Sequence, residues 1–335
     1  MFLLILLVLL ILVAATTYGA RERKFTALYV GEGLEPPAGL FAMKTSGPVD
    51  IFLFHQSKNL RFDSRYFDTP CRVMNLLQRR CHAPITDKKK LAESMGKFMP
   101  KRSGFAASDG PVILKRVGGK YCHGRGIEIF STYAEAEHAA PIDEPWVIEE
   151  LIQNILLCEG RKFHVRAYLY IDDKRNWSLC DYADLILADV KYSAAVTGAD
   201  PKIFISTNNS DYYRELGSGQ FTCEGKPSSF GAADFFRQAN VICEKLPSLF
   251  EPVGYENAER CYEVFGCDFL VTAEERVVLL EINDIVGYEP VANKPGDPAW
   301  LRLKRKKKYN VFRQKFYAWL LQQPVFELLH RTKQN

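Results

Sequence analysis

The stretch FGCDFLVTAEERVVLLEIND, residues 265–284, decides how the chain is read. Two apolar runs flank a polar turn, with Asp268 inside the first and Glu281 and Asn283 closing the second. A four-residue loop at Ala273 to Arg276 sets Asp268 directly opposite Glu281, because pairing is symmetric about the turn. Glu281 and Asn283 are two apart and share one face of their strand. The three side chains then converge as oxygen ligands. Hard oxygen donors, with positions left for water and phosphate, are what Mg²⁺ takes beside a nucleotide. The alternative is an ordinary exposed acidic face. Against it, both faces of VVLLEI are apolar up to Glu281, and a carboxylate at the edge of a buried sheet needs a partner.

The 335 residues suffice for two or three globular units around a sizeable core. A formal charge of +4 gives no reason to expect nucleic acid as a partner. Positive charge is instead concentrated in LRLKRKKK, residues 301–308. The nine cysteines are odd in number and contain no CxxC pair, which speaks against a disulfide framework or a zinc site. Reduced thiols packed in a core are the expectation.

The chain opens on MFLLILLVLLILVAATTYGA, uncharged throughout and unbroken apolar from Phe2 to Ala15. As a helix to Ala20 it would rise about 30 Å, close to the hydrocarbon thickness of a bilayer. A signal peptide cleaved near Val13-Ala14-Ala15 is the alternative. There is no positive segment ahead of it, however, and RERK (21–24) follows it. The positive-inside rule then places the rest of the chain in the cytosol. The expectation is a retained single-pass anchor with a cytosolic catalytic part.

Short strands are expected at FTALYVGEG and VDIFLFHQS, and helices at TPCRVMNLLQRR and DKKKLAESMGKFM, the first with Thr69 as N-cap and Pro70 at the first helical position. GPVILKRVGGKYCHGRGIEIF reads as strand, glycine-rich loop, strand, and WVIEELI as a further strand. RKFHVRAYLYI and WSLCDYADLILADV read as a strand pair, and GAADFFRQANVICEKLPSLFE as a helix. ENAERCYEVFG reads as a helix running into the opening strand, and NVFRQKFYAWLLQQPVFELLHR as an amphipathic helix interrupted at Pro324. The pattern is α+β with antiparallel sheets, without regular βαβ alternation.

The glycine loop carries Gly118, Gly119, Gly124 and Gly126, with Lys115 on the entering strand. Such a loop brings backbone N–H groups to phosphates while the lysine supplies a point charge. A mobile hairpin loop is the plainer reading, since no helix follows as in a Walker or dinucleotide motif. In RKFHVR, Lys162, His164 and Arg166 alternate onto one strand face and could meet a triphosphate or a carboxylate substrate. A solvated edge face is the alternative.

The order of these pieces resembles the ATP-grasp fold, and more specifically the tubulin–tyrosine ligase family. The matching segments are VILK…GRGI, VIEELI…LLCEGRKFHVRAYLYI, STNNS and FGCDFLV…VVLLEIN, between about residues 111 and 290. After the anchor (1–20) and the small N-terminal α/β domain (25–108), the resemblance implies a central glycine-loop subdomain (109–149). A C-terminal sheet subdomain with the metal hairpin (150–300) and a basic amphipathic helix (301–335) complete it. It implies an enzyme using ATP and Mg²⁺ to activate a carboxylate as an acyl phosphate and join it to an amine. Lys115 and Lys162 would hold phosphate and the adenine side, with Gly124 and Gly126 in the loop. The Glu149, Glu150 and Leu151 backbone would contact adenine, and Asn208 would sit near the nucleotide or acyl phosphate. Asp268, Glu281 and Asn283 would hold magnesium, and Arg166 would face the acceptor carboxylate. Catalysis would rest on Arg166, Lys115 and Glu281.

Two positions depart from the family pattern. His164 stands where many relatives carry Asp, which bears on a ribose or metal contact. Ile186 stands nearest to where relatives offer an arginine for an acidic acceptor. The implied partners are a free amino acid and a tubulin tail or another acidic protein, the chain acting as a monomer. The basic run, six Lys/Arg between Arg302 and Lys308, could draw in such a tail or touch anionic lipid. Two alternatives stand beside this reading: a ligase for small peptides or amino acids, and an inactive membrane-tethered tubulin-binding protein.

Overall fold

A computed structural model describes residues 25–31, 41–44, 48–55, 70–75, 85–102, 110–116, 126–143, 145–188, 190–193, 203, 213–223, 225–250, 258–283 and 312–326. The architecture is mixed α+β, dominated by sheet. The expected anchor at 1–20 and the basic run at 302–308 lie outside these residues. Among the described residues no helix is long and apolar enough to cross a membrane.

Four N-terminal strands run parallel: β1 (Phe25–Gly31), β2 (Phe41–Lys44), β3 (Val49–His55) and β4 (Cys71–Met74), in the order β2-β1-β3-β4. Helix α1 (Lys88–Met95) follows, then β5 (Val112–Arg116), β6 (Ile127–Phe130), α2 (Tyr133–Ala139) and β7 (Trp146–Glu150). The three strands β6-β5-β7 form a separate antiparallel sheet. The larger sheet continues through β8 (Leu157–Cys158), β9 (Arg161–Asp172), β10 (Trp177–Leu187), β11 (Tyr213–Glu215), β12 (Phe221–Cys223) and β13 (Lys226–Pro227). Helix α3 (Ala232–Cys243) and strands β14 (Ala258–Val271) and β15 (Val277–Asn283) come next, and helix α4 (312–320) lies near the end.

Two helical expectations are overturned. Cys71–Met74 is strand β4, because it lies between β3 and the first residues of β14, with Cys71 and Val73 buried in alternation. Residues 258–265, read as helical from their apolar spacing, are the first half of β14. That strand is the seam of the large sheet. Its start pairs in parallel with β4, its middle antiparallel with β9, and its end with β15. A strand buried on both faces shows no clean two-residue alternation, so its pattern imitates a helix.

The two faces of β9 and β14 have different fates. One face carries Phe163, Val165, Ala167, Leu169, Phe265, Cys267 and Phe269, all fully buried. Helix α3 covers it with Phe235, Ala239, Ile242 and Cys243, a stripe at the spacing of one helix face. The opposite face begins with Lys162, His164 and Arg166 and continues as Tyr168 and Tyr170. Helix α4 packs Phe312 and Phe316 against Tyr168, which closes the tyrosine half with aromatic contacts. The half bearing Lys162 and His164 is left to line a cleft.

Candidate active site

The cleft lies between the β6-β5-β7 sheet and the β14–β15 hairpin. It is lined by Lys115, Glu149, Glu150 and Leu151 from the small sheet and the segment after it, Lys162 and His164 from β9, and Asp268 and Glu281 from the hairpin. Eight of the residues singled out in the sequence therefore face one space. Apolar side chains, among them Ile113, Ile127 and Leu280, complete its walls, as expected for a pocket that takes a flat ring beside charged groups.

The hairpin reaches its geometry by a different route from the one expected. Val271 pairs with Val277, and the Thr272 amide donates to the Arg276 carbonyl. The loop is thus Ala273 to Glu275, with Glu275 in the left-handed region at φ 61°. A regular ladder from that loop would set Asp268 against Leu280. A β-bulge next to Asp268 and Phe269 absorbs one residue of β15, and Asp268 pairs with Glu281 after all.

Three carboxylates of the cleft, Asp268, Glu281 and Glu149, are each matched by a cation. Asp268 takes two hydrogen bonds from Arg166, from Nε at 2.7 Å and from Nη2 at 2.6 Å. Asn283 Nδ2 donates to Asp268 Oδ2 at 3.2 Å. Glu281 pairs with Lys88 at 2.8 Å. Glu149, fully buried, accepts from Lys115 Nζ at 2.8 Å and from Arg102. Such pairing is what makes buried charge tolerable. Arg166 therefore meets Asp268 within its own sheet, where the resemblance implied an acceptor carboxylate.

Lys88 and Arg102 were not singled out from sequence. Lys88 is the first residue of α1, and the Asp87 N-cap fixes that turn by accepting from the Lys89 and Lys90 amides at 2.9 Å each. Nothing in the run DKKK separates Lys88 from its exposed neighbours Lys89 and Lys90. Only the tertiary contact with Glu281 does.

The charges shift the titration of the site. Burial opposes ionisation of Glu281, but Lys88, Lys115 and Arg166 overcome it and hold the carboxyl at about 2. Burial, reinforced by Lys115, lowers the Lys162 ammonium to about 8. Burial also lowers His164 to about 4, against the attraction of Asp268, whose Oδ1 lies 3.7 Å from Nε2. His164 is thus neutral at pH 7. The unfolded ring protonates near pH ~6.5, so between these values the unfolded chain binds more protons and stability falls as pH drops through that window. Urea midpoints taken from about pH 7 down to about pH 4 should fall in the native chain and fall less in His164→Gln.

The remaining predicted residues are placed as follows. Gly126 adopts φ 69° at the start of β6, and its carbonyl accepts from the Arg116 amide at 2.9 Å. The Glu150 and Leu151 amides donate to the Lys101 and Pro111 carbonyls, so this edge would meet a base chiefly through carbonyl oxygens. Ile186 is buried and paired with His164 across the β9–β10 ladder. Gly118, Gly119, Gly124 and Asn208 lie outside the described residues.

Two carboxylates and an amide oxygen suit a magnesium ion shared with a nucleotide better than a cage made by protein alone. Among the described residues no group of three or more His, Cys, Asp or Glu is gathered for a metal. The donor set of Asp268, Glu281 and Asn283 fits the ion on these terms.

The sequence model of the tubulin-tyrosine ligase family matches residues 85–213. That span contains Lys88, Arg102, Lys115, Glu149, Lys162, His164 and Arg166, the cationic side of the cleft and its nearest partners. This part of the chain is similar to the tubulin-tyrosine ligase family. The chain is similar to a probable tubulin–tyrosine ligase of Schizosaccharomyces pombe, at 27% identity over 143 residues, covering 41% of this chain and 35% of that protein. It is also similar to tubulin glycylase 3C of Tetrahymena thermophila, at 24% identity over 192 residues, covering 51% of this chain and 18% of that protein. The chain thus matches well under two thirds of the length of these family relatives.

Proposed function

We propose that this chain is an ATP-dependent carboxylate–amine ligase of ATP-grasp type, and that its acceptor is tubulin or another acidic protein. One observation carries the reading. Lysines from α1, β5 and β9 meet Asp268 and Glu281 in a single cleft, with Asn283 bonded to Asp268. Lys115 and Lys162 would take the phosphates and the base side of ATP, and Lys88, 2.8 Å from Glu281, would meet the terminal phosphate. A magnesium ion on Asp268, Glu281 and Asn283 would neutralise charge developing on the phosphates. The γ-phosphoryl group passes to a carboxylate oxygen with ADP leaving. The α-amine then attacks the acyl carbon, phosphate departs, and the amine loses its proton. Such chemistry asks for positioning and charge, which this cleft provides. Neutral His164 and apolar Ile186 add no positive charge of their own for an acidic substrate.

Tubulin enters from the names of the two relatives. Membrane attachment through residues 1–20, facing the cytosol, belongs to the same proposal and rests on the apolar run followed by RERK. Alkaline carbonate extraction of the full chain tests it, with retention in the membrane pellet expected.

The activity is tested with the full chain, Mg-ATP, mixed amino acids and purified tubulin, read by the intact mass of the tubulin chains. An increment of one residue type, absent with Glu281→Gln, is expected and names the amino acid. ATP turnover on small acceptors without a tubulin increment would move the answer to a small-molecule ligase. Binding of ATP without turnover would make the chain a tethered binding protein.

A further inference from the structure

Arg166 has a carboxylate on each side. In the β10-β9-β14 ladder Asp184 and Asp268 both lie directly opposite it, one in each neighbouring strand. Directly paired residues share a face, with Cβ atoms about 5 Å apart. Asp268 takes the guanidinium in two hydrogen bonds. Asp184 is only 1% exposed and accepts from Tyr168 Oη at 3.0 Å on Oδ2 and from Tyr182 Oη at 2.8 Å on Oδ1. The Arg166 stem passes over Gly266, where an added Cβ would lie 3.5 Å from Nε, and Gly266 is the β14 partner of Tyr168. The arginine thus lies along the row that carries the Asp184–tyrosine group.

Two phenols are satisfied equally well by a neutral acceptor. A carboxylate at this depth is costly unless it compensates a cation, and Arg166 is the cation in the next strand. We infer that Asp184 is a positioning residue that shares Arg166 with Asp268 and holds the guanidinium when a metal ion claims Asp268. The inference rests on the metal reading above. It gives the tyrosines a function as well: by occupying both Asp184 oxygens they weaken its pull, so Asp268 keeps the arginine until the metal competes for it.

The test is calorimetric titration of the full chain with ATP, with magnesium and with a chelator, alongside thermal melts. Asp184→Asn should lose about tenfold of the affinity gained with magnesium, the scale of coupling between neighbouring charges, with metal-free ATP affinity unchanged. Tyr182→Phe removes one hydrogen bond from Asp184 Oδ1 and so increases its pull on Arg166, which should strengthen magnesium-dependent binding by about threefold. These opposite signs separate positioning from damage to the fold. If Asp184 merely ties the two tyrosines under α4, both variants melt lower with unchanged magnesium dependence, and the inference is overturned. Should Asp184→Asn fail to fold, the sign of the Tyr182→Phe effect decides. A native chain whose ATP affinity ignores magnesium overturns the metal reading itself, an outcome visible before any variant is made.

Discussion

Replacing Asp268 with asparagine is expected to cost about 3–5 kcal/mol of stability and to abolish the gain in ATP affinity that magnesium brings. The stability loss follows from burial. The Asp268 side chain is 6% exposed and the Arg166 side chain 7%, so the substitution strips a buried guanidinium of its bidentate anion. The binding loss follows from the donor set, since an amide is a far weaker ligand for a hard cation than a carboxylate. Urea melts with and without Mg-ATP read both effects together. Saturating ligand at about 100 times Kd should stabilise the native chain by about 2.7 kcal/mol and Asp268→Asn by almost nothing.

The second large effect lies one residue further along the same strand. Phe269→Ala should also lose about 3–5 kcal/mol, through a cavity rather than a charge. Phe269 is fully buried and packs edge-to-face on Phe235 of α3, with centroids 5.5 Å apart. It faces away from the cleft, so the stabilisation brought by Mg-ATP should survive almost intact. Adjacent substitutions of similar cost but opposite ligand dependence would separate the two faces of β14 experimentally.

Much of this arrangement is legible in the chain itself. RKFHVR places three polar side chains on one face by alternation alone, and the structure finds Lys162, His164 and Arg166 there. The pairing of Asp268 with Glu281 is also readable, although the loop is one residue shorter than expected and the bulge makes up the difference. What escapes is what depends on distant contacts. CRVM acquires strand structure only because β3 and β14 flank it, and residues 261–265 are buried on both faces, which erases their alternation. Lys88 resembles its neighbours until Glu281 approaches from the hairpin. Glu149 is expected only for its backbone contact, and its side chain is the buried anion between Arg102 and Lys115.

The charge pattern has a mechanistic implication. Lys88 rests on Glu281, Lys115 on Glu149 and Arg166 on Asp268. Without ligand, the charges within each of these three pairs neutralise one another. Binding would then be an exchange of partners, which lowers its electrostatic cost relative to burying new charge.

The central claim is that the β14–β15 hairpin is a metal cradle facing a nucleotide cleft. Crystals of the chain grown with manganese and a non-hydrolysable ATP analogue, measured at a wavelength where manganese scatters anomalously, test it most directly. The account predicts an anomalous peak among Asp268, Glu281 and Asn283, with the analogue's phosphates directed toward Lys88 and Lys115. A nucleotide bound elsewhere, or a peak away from these three residues while Arg166 still grips Asp268, would contradict it.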